Sequence, residues 1–173
     1  MMKAVIFIGG GGGLGVATRS IFFGEILSKE GFDVVYASSG RCFNYIKKKK
    51  LRVHSVSPEM TFALSDGKLD PRKTTINYIR NISRYDMSEL NKIMDEENPD
   101  IVISDSYLPG ALAGIIKGKL TYPVLSFINT QLHNDELLRL NLGNRIVWGI
   151  WKIVFSRCKR LIIPDFPPPN TIC

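Results

Sequence analysis

A short apolar run, Ala4-Val5-Ile6-Phe7-Ile8, breaks directly into five consecutive glycines, Gly9 to Gly13, with Leu14 and Gly15 behind them. An unbroken apolar run bounded by glycine reads as a strand buried on both faces, here Lys3 to Ile8. Glycines placed after such a strand let the backbone turn and pass close to a ligand before a helix begins. That helix is expected from about Val16 to Glu30, closed by Gly31 as a C-cap glycine closes a helix. Phe32 to Ala37 then supplies a second strand. Strand, glycine turn, helix and strand in direct succession make one βαβ unit, so the chain reads as an α/β protein.

The alternation continues. Ser39-Gly40 is a turn, Arg41 to Lys50 a short helix with a basic tail, and Leu51 to Val56 a third strand. From Ser57 to Asp70 the pattern dissolves into a loop with Pro58, Asp66 and Gly67, expected to be mobile. Asp70-Pro71 has the form of an N-cap and first helical proline, and Asp86-Met87-Ser88-Glu89 that of a second cap. The region between is one kinked helix or two, ended by Asn98-Pro99. Ile101 to Ser104 is a fourth strand, Pro109 to Lys117 a helix, and Pro123 to Ile128 a fifth strand. A helix from about Asn144 to Cys158 and a strand from Arg160 to Ile163 complete the series. The expected architecture is a Rossmann-like open parallel sheet with helices on both faces, spanning 1–163. Residues 164–173, rich in proline, read as the start of an interdomain linker.

Charge and cysteine usage narrow the partners. The 23 Lys and Arg against 16 Asp and Glu leave +7, an excess that favours nucleic acid, anionic lipid or a phosphorylated substrate. No aromatic RNP signature, zinc spacing or recognition motif accompanies it, so nucleic acid is not expected. Cys42, Cys158 and Cys173 form no CxxC pair and read as reduced thiols of an intracellular protein. With only His54 and His133 present, no metal is expected. The apolar start collapses into glycines and suits a turn rather than a secretory helix, and no apolar stretch is long enough to span a membrane.

In an open parallel sheet the ligand crevice lies beyond the C-terminal ends of the strands, where strand order reverses. Three elements fall at such ends: the loop Gly9 to Gly15, the segment Ser104 to Tyr107, and the polar loop Asn129 to Asn134. The glycine loop, followed by a helix N-terminus, aims amides at a diphosphate or a sugar hydroxyl. It lacks the Gly-Lys-Ser/Thr of a Walker loop. A dinucleotide fingerprint fits Gly10 to Gly15, yet Ala37-Ser38-Ser39 offers no ribose-binding acid. Asp105 can orient a base, hold a sugar hydroxyl or cap the next helix. His133 has the titration range of a general base, or is a solvated loop histidine. His54, within a strand, reads as structural. The segment 145–160 mixes two tryptophans and a phenylalanine with basic residues, which suits an anionic membrane surface or an ordinary helix packed on the sheet. Lys47 to Lys50 with Arg52 form a second basic patch, a solvated face or an aid to membrane or phosphate attraction.

The strand, the run GGGGGLGVATR and the terminal strand leading into DFPPP resemble the N-terminal, acceptor-side domain of the GT-B glycosyltransferases. The likeness is greatest to the group with the bacterial UDP-GlcNAc transferase of peptidoglycan synthesis and to archaeal predicted transferases. It extends over essentially the whole chain. The resemblance implies the N-terminal half of a GT-B architecture, whose facing domain or separate subunit binds most of the nucleotide sugar. The reaction it implies is transfer of a hexose or N-acetylhexosamine from a nucleotide diphosphate sugar, UDP-linked, to an acceptor hydroxyl carried on a glycan or lipid. No cofactor is implied beyond that donor substrate.

The family pattern Gly-x-Gly-His-x-x-Arg appears as Gly13-Leu14-Gly15-Val16-Ala17-Thr18-Arg19, with Val16 where relatives carry a histidine base. By the resemblance Gly12, Gly13 and Gly15 face the donor diphosphate, with Arg19 holding the loop. Asp105 and His133 stand as catalytic candidates, and Ser106, Asn129 and Thr130 as acceptor-side residues. A cytoplasmic location at the inner face of the membrane accompanies this reading. Two other functions stay open: a noncatalytic subunit that recruits a donor-binding partner to membrane acceptor, and an NAD(P)-binding oxidoreductase domain.

Overall fold

The computed structural model describes residues 1–9, 14–58, 64–65, 68–69, 73, 76–77, 80, 87–125, 149 and 152–162. In it β1 (Met2–Ile8) is the middle strand of a five-stranded parallel sheet. Ala4, Val5, Ile6, Phe7 and Ile8 are all 0% exposed, which is why this stretch shows no polar alternation: helices cover both of its faces.

From β1 the chain passes through α1 (Leu14–Lys29) to β2 (Phe32–Ser38), with Gly31 at φ +85° closing the helix as expected. It then passes through α2 (Gly40–Lys48) to β3 (Val53–Ser55) at one edge. A two-stranded antiparallel pair, β4 (Leu64–Ser65) and β5 (Lys68–Leu69), stands inside the stretch expected to be loop throughout. The signal for it was present: Asp66-Gly67 is a favoured hairpin-turn dipeptide. The chain returns through α3 (Ser88–Glu97) to β6 (Ile101–Asp105) on the other side of β1, then runs through α4 (Leu108–Ile116) to β7 (Leu120–Val124). The sheet order is therefore β3-β2-β1-β6-β7, with every neighbouring pair parallel.

Alternate residues of the strands feed two cores. Ile6, Ile8, Tyr36, Ile103 and Val124 meet Ala17 and Ile21 of α1 and Cys42 and Ile46 of α2. Val5, Phe7, Val35, Ala37 and Val102 meet Leu90, Ile93 and Met94 of α3 and Ala113 of α4. Helices thus flank both faces of a Rossmann-like sheet, the architecture of a GT-B half-domain.

Several boundaries differ from the sequence expectation, among them β3, expected from Leu51 to Val56 and found at Val53–Ser55, and α2, expected from Arg41 to Lys50 and found at Gly40–Lys48. β7 begins at Leu120, with Pro123 paired to Ser104 inside it rather than opening it. Thr121 and Tyr122 have the branched and aromatic side chains that strands favour, and they outweigh the missing proline N–H. The expected strand from Arg160 to Ile163 is a single parallel bridge between Val124 and Ile162 in the described residues. α3 is capped at Met87 without a side-chain bond, while Asp86 and the Asp70-Pro71 cap lie outside the described residues. Asn98, at φ +41°, ends α3 as expected.

Candidate functional site

The chain leaves β1 toward β2 and leaves β6 toward β7, in opposite directions, so the sheet's switch point lies between β1 and β6. Ile8 and Asp105, the last residues of those two strands, are register partners. Gly9 N donates to Asp105 O at 2.9 Å and Ser106 N donates to Val124 O at 2.9 Å, carrying the sheet bonding one residue past the strand ends. A Cβ on Gly9 would fall inside the carbonyl of Ser106, so only glycine fits where β1 gives way to the loop.

The Asp105 side chain is fully buried at this point, and four donors converge on it. Arg19 reaches across from α1 with Nε to Oδ2 at 3.0 Å and Nη2 to Oδ1 at 2.5 Å. Ser20 Oγ donates to Oδ2 at 2.8 Å and Ser106 Oγ to Oδ1 at 3.2 Å. A two-pronged guanidinium bond and two hydroxyls saturate the carboxylate, which is how a buried charge is made tolerable. α4 is capped by Tyr107 without a side-chain bond, so the helix-capping reading of Asp105 is replaced by this clamp.

Ser106 takes a left-handed φ of +54°, turning the chain sharply between the clamp and α4. Ser104 Oγ donates to Tyr107 O across the turn. Tyr107 is itself buried, stacks on Phe7 with ring centroids 6.3 Å apart, and donates from its hydroxyl to Ser57 O at 2.7 Å. Ser57 N donates to Glu89 Oε2 at 2.9 Å. The site turn is thereby tied to the point where the chain leaves β3 and to the first turn of α3.

The structure brings Asp105, Ser106 and Arg19 together at the ends of β1 and β6 and leaves Gly15 exposed at the start of α1. Gly12, Gly13, Asn129, Thr130 and His133 lie outside the described residues. Val16, in the position where the family pattern has histidine, is half-buried against the core of the α1 face. Sequence reading missed Ser20, and it placed Tyr107 in a strand-end candidate segment without giving it a role of its own. Ser20 carried a legible signal, because with Ala17, Ile21 and Gly24 it completes the buried face of α1, where a lone hydroxyl asks for a partner.

Beneath the clamp, Cys42 is wholly buried, and burial pushes its thiol up from the ordinary value of 9.0. The neighbouring Asp105 charge adds to that rise, against the lowering bonds from Ala17 and Ser38. Away from the crevice, Glu97 is a hub with 7% exposure. His54 Nε2 lies 2.7 Å from its Oε1, Lys3 Nζ donates to Oε2 at 3.2 Å, and Arg52 bonds the same oxygen. His54 thus has a structural partner. Arg52, grouped in sequence with Lys47 to Lys50, is drawn instead into pairs with Glu97 and Asp33, while Lys47 and Lys49 lie over the rings of Phe43 and Tyr45.

Among the described residues no group of three His, Cys, Asp or Glu is placed to hold a metal ion, and no helix is long and apolar enough to cross a membrane. In the described part of 145–160, Val154 packs on Leu108 and Ala111 of α4, while Ile153 remains 57% exposed.

No protein-family model matches the chain. Along almost its entire length it is similar to a protein of Methanosarcina mazei described as an uncharacterized glycosyltransferase, 28% identical over 176 residues that cover 99% of this chain and 45% of the relative. Its likeness is to proteins described as glycosyltransferases. The domain spans less than half the length of that relative. It superposes on Arabidopsis thaliana UGT89C1 complexed with UDP-L-rhamnose with a TM-score of 0.63, at 11% identity over 95% of this chain and 45% of that one. The Acinetobacter baumannii MurG structure gives a TM-score of 0.57 at 12% identity, over 99% of the domain and 44% of that chain. Identities this low establish a shared fold, and the likeness extends over plant and bacterial proteins without singling out one subgroup.

Proposed function

We propose that this chain is the acceptor-side half of a GT-B glycosyltransferase. The transferred group is a hexose or N-acetylhexosamine, leaving a UDP-linked donor for a hydroxyl of a glycan or lipid-linked acceptor. The observation that supports this reading is the similarity, along almost all of this chain, to a protein described as a glycosyltransferase, combined with the gathering of Asp105, Ser106 and Arg19 at the strand ends beside the sheet's switch point.

In this reading the amides of the loop through Gly12, Gly13 and Gly15, with the positive end of α1 behind them, stabilise charge on the departing diphosphate. Arg19 is neutralised by Asp105, so it holds the loop's exit rather than competing for the phosphates. Asp105 is a positioning residue: with no exposed surface and every oxygen engaged, it acts through Ser106 and the turn it fixes. With Val16 unable to accept a proton, His133 is the general base for in-line, inverting attack, and Asn129 and Thr130 hold the acceptor beside it. The donor is held mainly by a second GT-B domain or subunit. The basic, aromatic segment 145–160 brings the pair to an anionic membrane on its cytoplasmic side.

The test is incorporation of radiolabel from UDP-GlcNAc and UDP-glucose into butanol-extractable lipid and into glycan, using the protein that joins this chain to its donor-side half. Incorporation, lost in His133→Ala, is the expected result. No transfer from UDP-, GDP- or dTDP-sugars, together with dinucleotide binding to the chain, would overturn it in favour of the oxidoreductase reading. Acceptor binding without turnover, restored only by another subunit, would assign the noncatalytic role.

A further inference from the structure

Ser39 follows the last residue of β2 and holds the N-cap position of α2, a nine-residue helix. A serine there ordinarily turns its hydroxyl onto an amide of the first turn. In this chain no such bond forms. Ser39 is 5% exposed, and its Oγ is buried with no hydrogen-bond partner among the described residues. Native proteins rarely leave a buried hydroxyl orphaned unless something else engages it.

The rest of the helix end likewise lacks partners among the described residues. The first-turn amides have no acceptor within the helix, and Phe43 N is the first to bond, to Ser39 O at 3.2 Å. No acidic side chain stands in the first turn. Gly40 has a φ of +55° with open space where a side chain would begin, so the backbone is bare to an approaching group. Arg41 is exposed and makes no ion pair among the described residues. Orphan amides, the positive end of the helix dipole, an unbonded hydroxyl and a free guanidinium together favour an anion.

Its location ties this helix end to the crevice. Ser38 is the register partner of Ile8 and donates from Oγ to Ile8 O at 3.2 Å. Ser39 therefore stands beside Gly9, about 5 Å away at the spacing of adjacent strands. We propose that Ser39, Gly40 and Arg41 form an anion subsite of the crevice, which receives a phosphate group of the acceptor. The word acceptor rests on the function proposed above; the subsite itself rests on the geometry alone.

The experiment titrates the isotope-labelled full chain with inorganic pyrophosphate and follows backbone amides by NMR. Saturable shifts at Gly40, Arg41 and Cys42 are expected. Arg41→Glu, an acid in a first turn that the dipole welcomes, should weaken binding at least tenfold with no fall in Tm, and Ser39→Ala several-fold. Lys48→Ala, at the far end of the helix, should bind as the parent does. Shifts confined to Leu14 and Gly15, or Arg41→Glu binding with parental affinity, would overturn the subsite. Octyl phosphate and UDP are then compared: octyl phosphate moving the same amides supports the acceptor assignment, and a response to UDP alone overturns that assignment while leaving the subsite. None of these readouts depends on sugar transfer, so the subsite and the proposed reaction fail separately.

Discussion

Arg19 and Asp105, 86 residues apart in the chain, meet in a two-pronged ion pair that joins the first helix to the end of β6. The pair spans the switch point of the sheet, and its carboxylate has no exposed surface. Losing one partner strands the other charge in a poorly solvated place, which is far worse than losing both. Asp105→Ala and Arg19→Ala are each expected to lower stability by about 3–5 kcal/mol in urea unfolding. The Arg19→Met/Asp105→Leu double variant should lose clearly less than the sum of the two. Additive losses would show that the pair is not coupled.

Gly9→Ala is expected to destabilise the chain by about 1–3 kcal/mol, because the new methyl group has to displace the carbonyl of Ser106. Gly15→Ala is the control. Open space surrounds that position, so it should unfold at a Tm within about 2 °C of the parent, as surface changes away from special features do. Thermal unfolding of the two variants side by side checks the contrast.

Glu97 governs the acid limb of stability. Burial pushes its carboxyl up, but the bonds from His54 and Lys3 and the positive charge of Arg52 outweigh burial and hold it below its ordinary 4.5. A depressed carboxyl contributes stability that is fully present above its unfolded value and lost as pH falls through its folded one. Stability should therefore drop on acidification below about pH 4.5, the unperturbed range of a glutamate. Glu97→Gln should unfold about 2 kcal/mol more easily at pH 7. It should also flatten that acid limb, measured by urea midpoints from pH 3 to pH 7. An unchanged pH profile would assign the acid sensitivity elsewhere.

The thiols report on burial. Cys158 is pushed up to about 11 by burial, and Cys42 is raised for the same reason beneath the Asp105 clamp. Both are expected to react slowly with a disulfide reagent at pH 8. Cys158, half-buried, should gain rate as pH rises toward its pKa, whereas Cys42 should follow unfolding instead. Mass spectrometry of each labelled peptide distinguishes them. Prompt labelling of Cys42 in the folded chain would contradict the packing of α1 and α2 over the sheet.

Much of this architecture is legible in the amino-acid sequence. Ala4 to Ile8 announce a strand covered on both faces because no polar residue interrupts them, and Gly31 and Asn98 mark helix ends because each accepts a left-handed backbone. The short β4–β5 pair and the start of β7 were less visible. Two-residue strands carry too little periodicity to stand out, and Pro123 is a misleading marker of a strand's beginning. Within the site, Asp105 stood out by its place after an apolar run, but its partners did not. Arg19 appeared as part of a loop pattern, and Ser20 showed only that a hydroxyl on the buried face of α1 needs some partner. Nothing local to either says that they face a carboxylate 85 residues or more further along.

That division has a physical cause. Strand and helix propensity, glycine turns and capping act over a few residues, so the order of elements, the α/β class and the strand-end position of Asp105 follow from the sequence by itself. The return of the chain past β1 to lay β6 on its far side is a choice among sheet orders, made by the burial of both faces at once. Only that choice brings Gly9 against Ser106, closes Arg19 and Ser20 onto Asp105, and gathers Lys3, Arg52 and His54 around Glu97. These contacts join segments distant in the chain, and their energies depend on desolvation that exists only once the sheet and helices have packed.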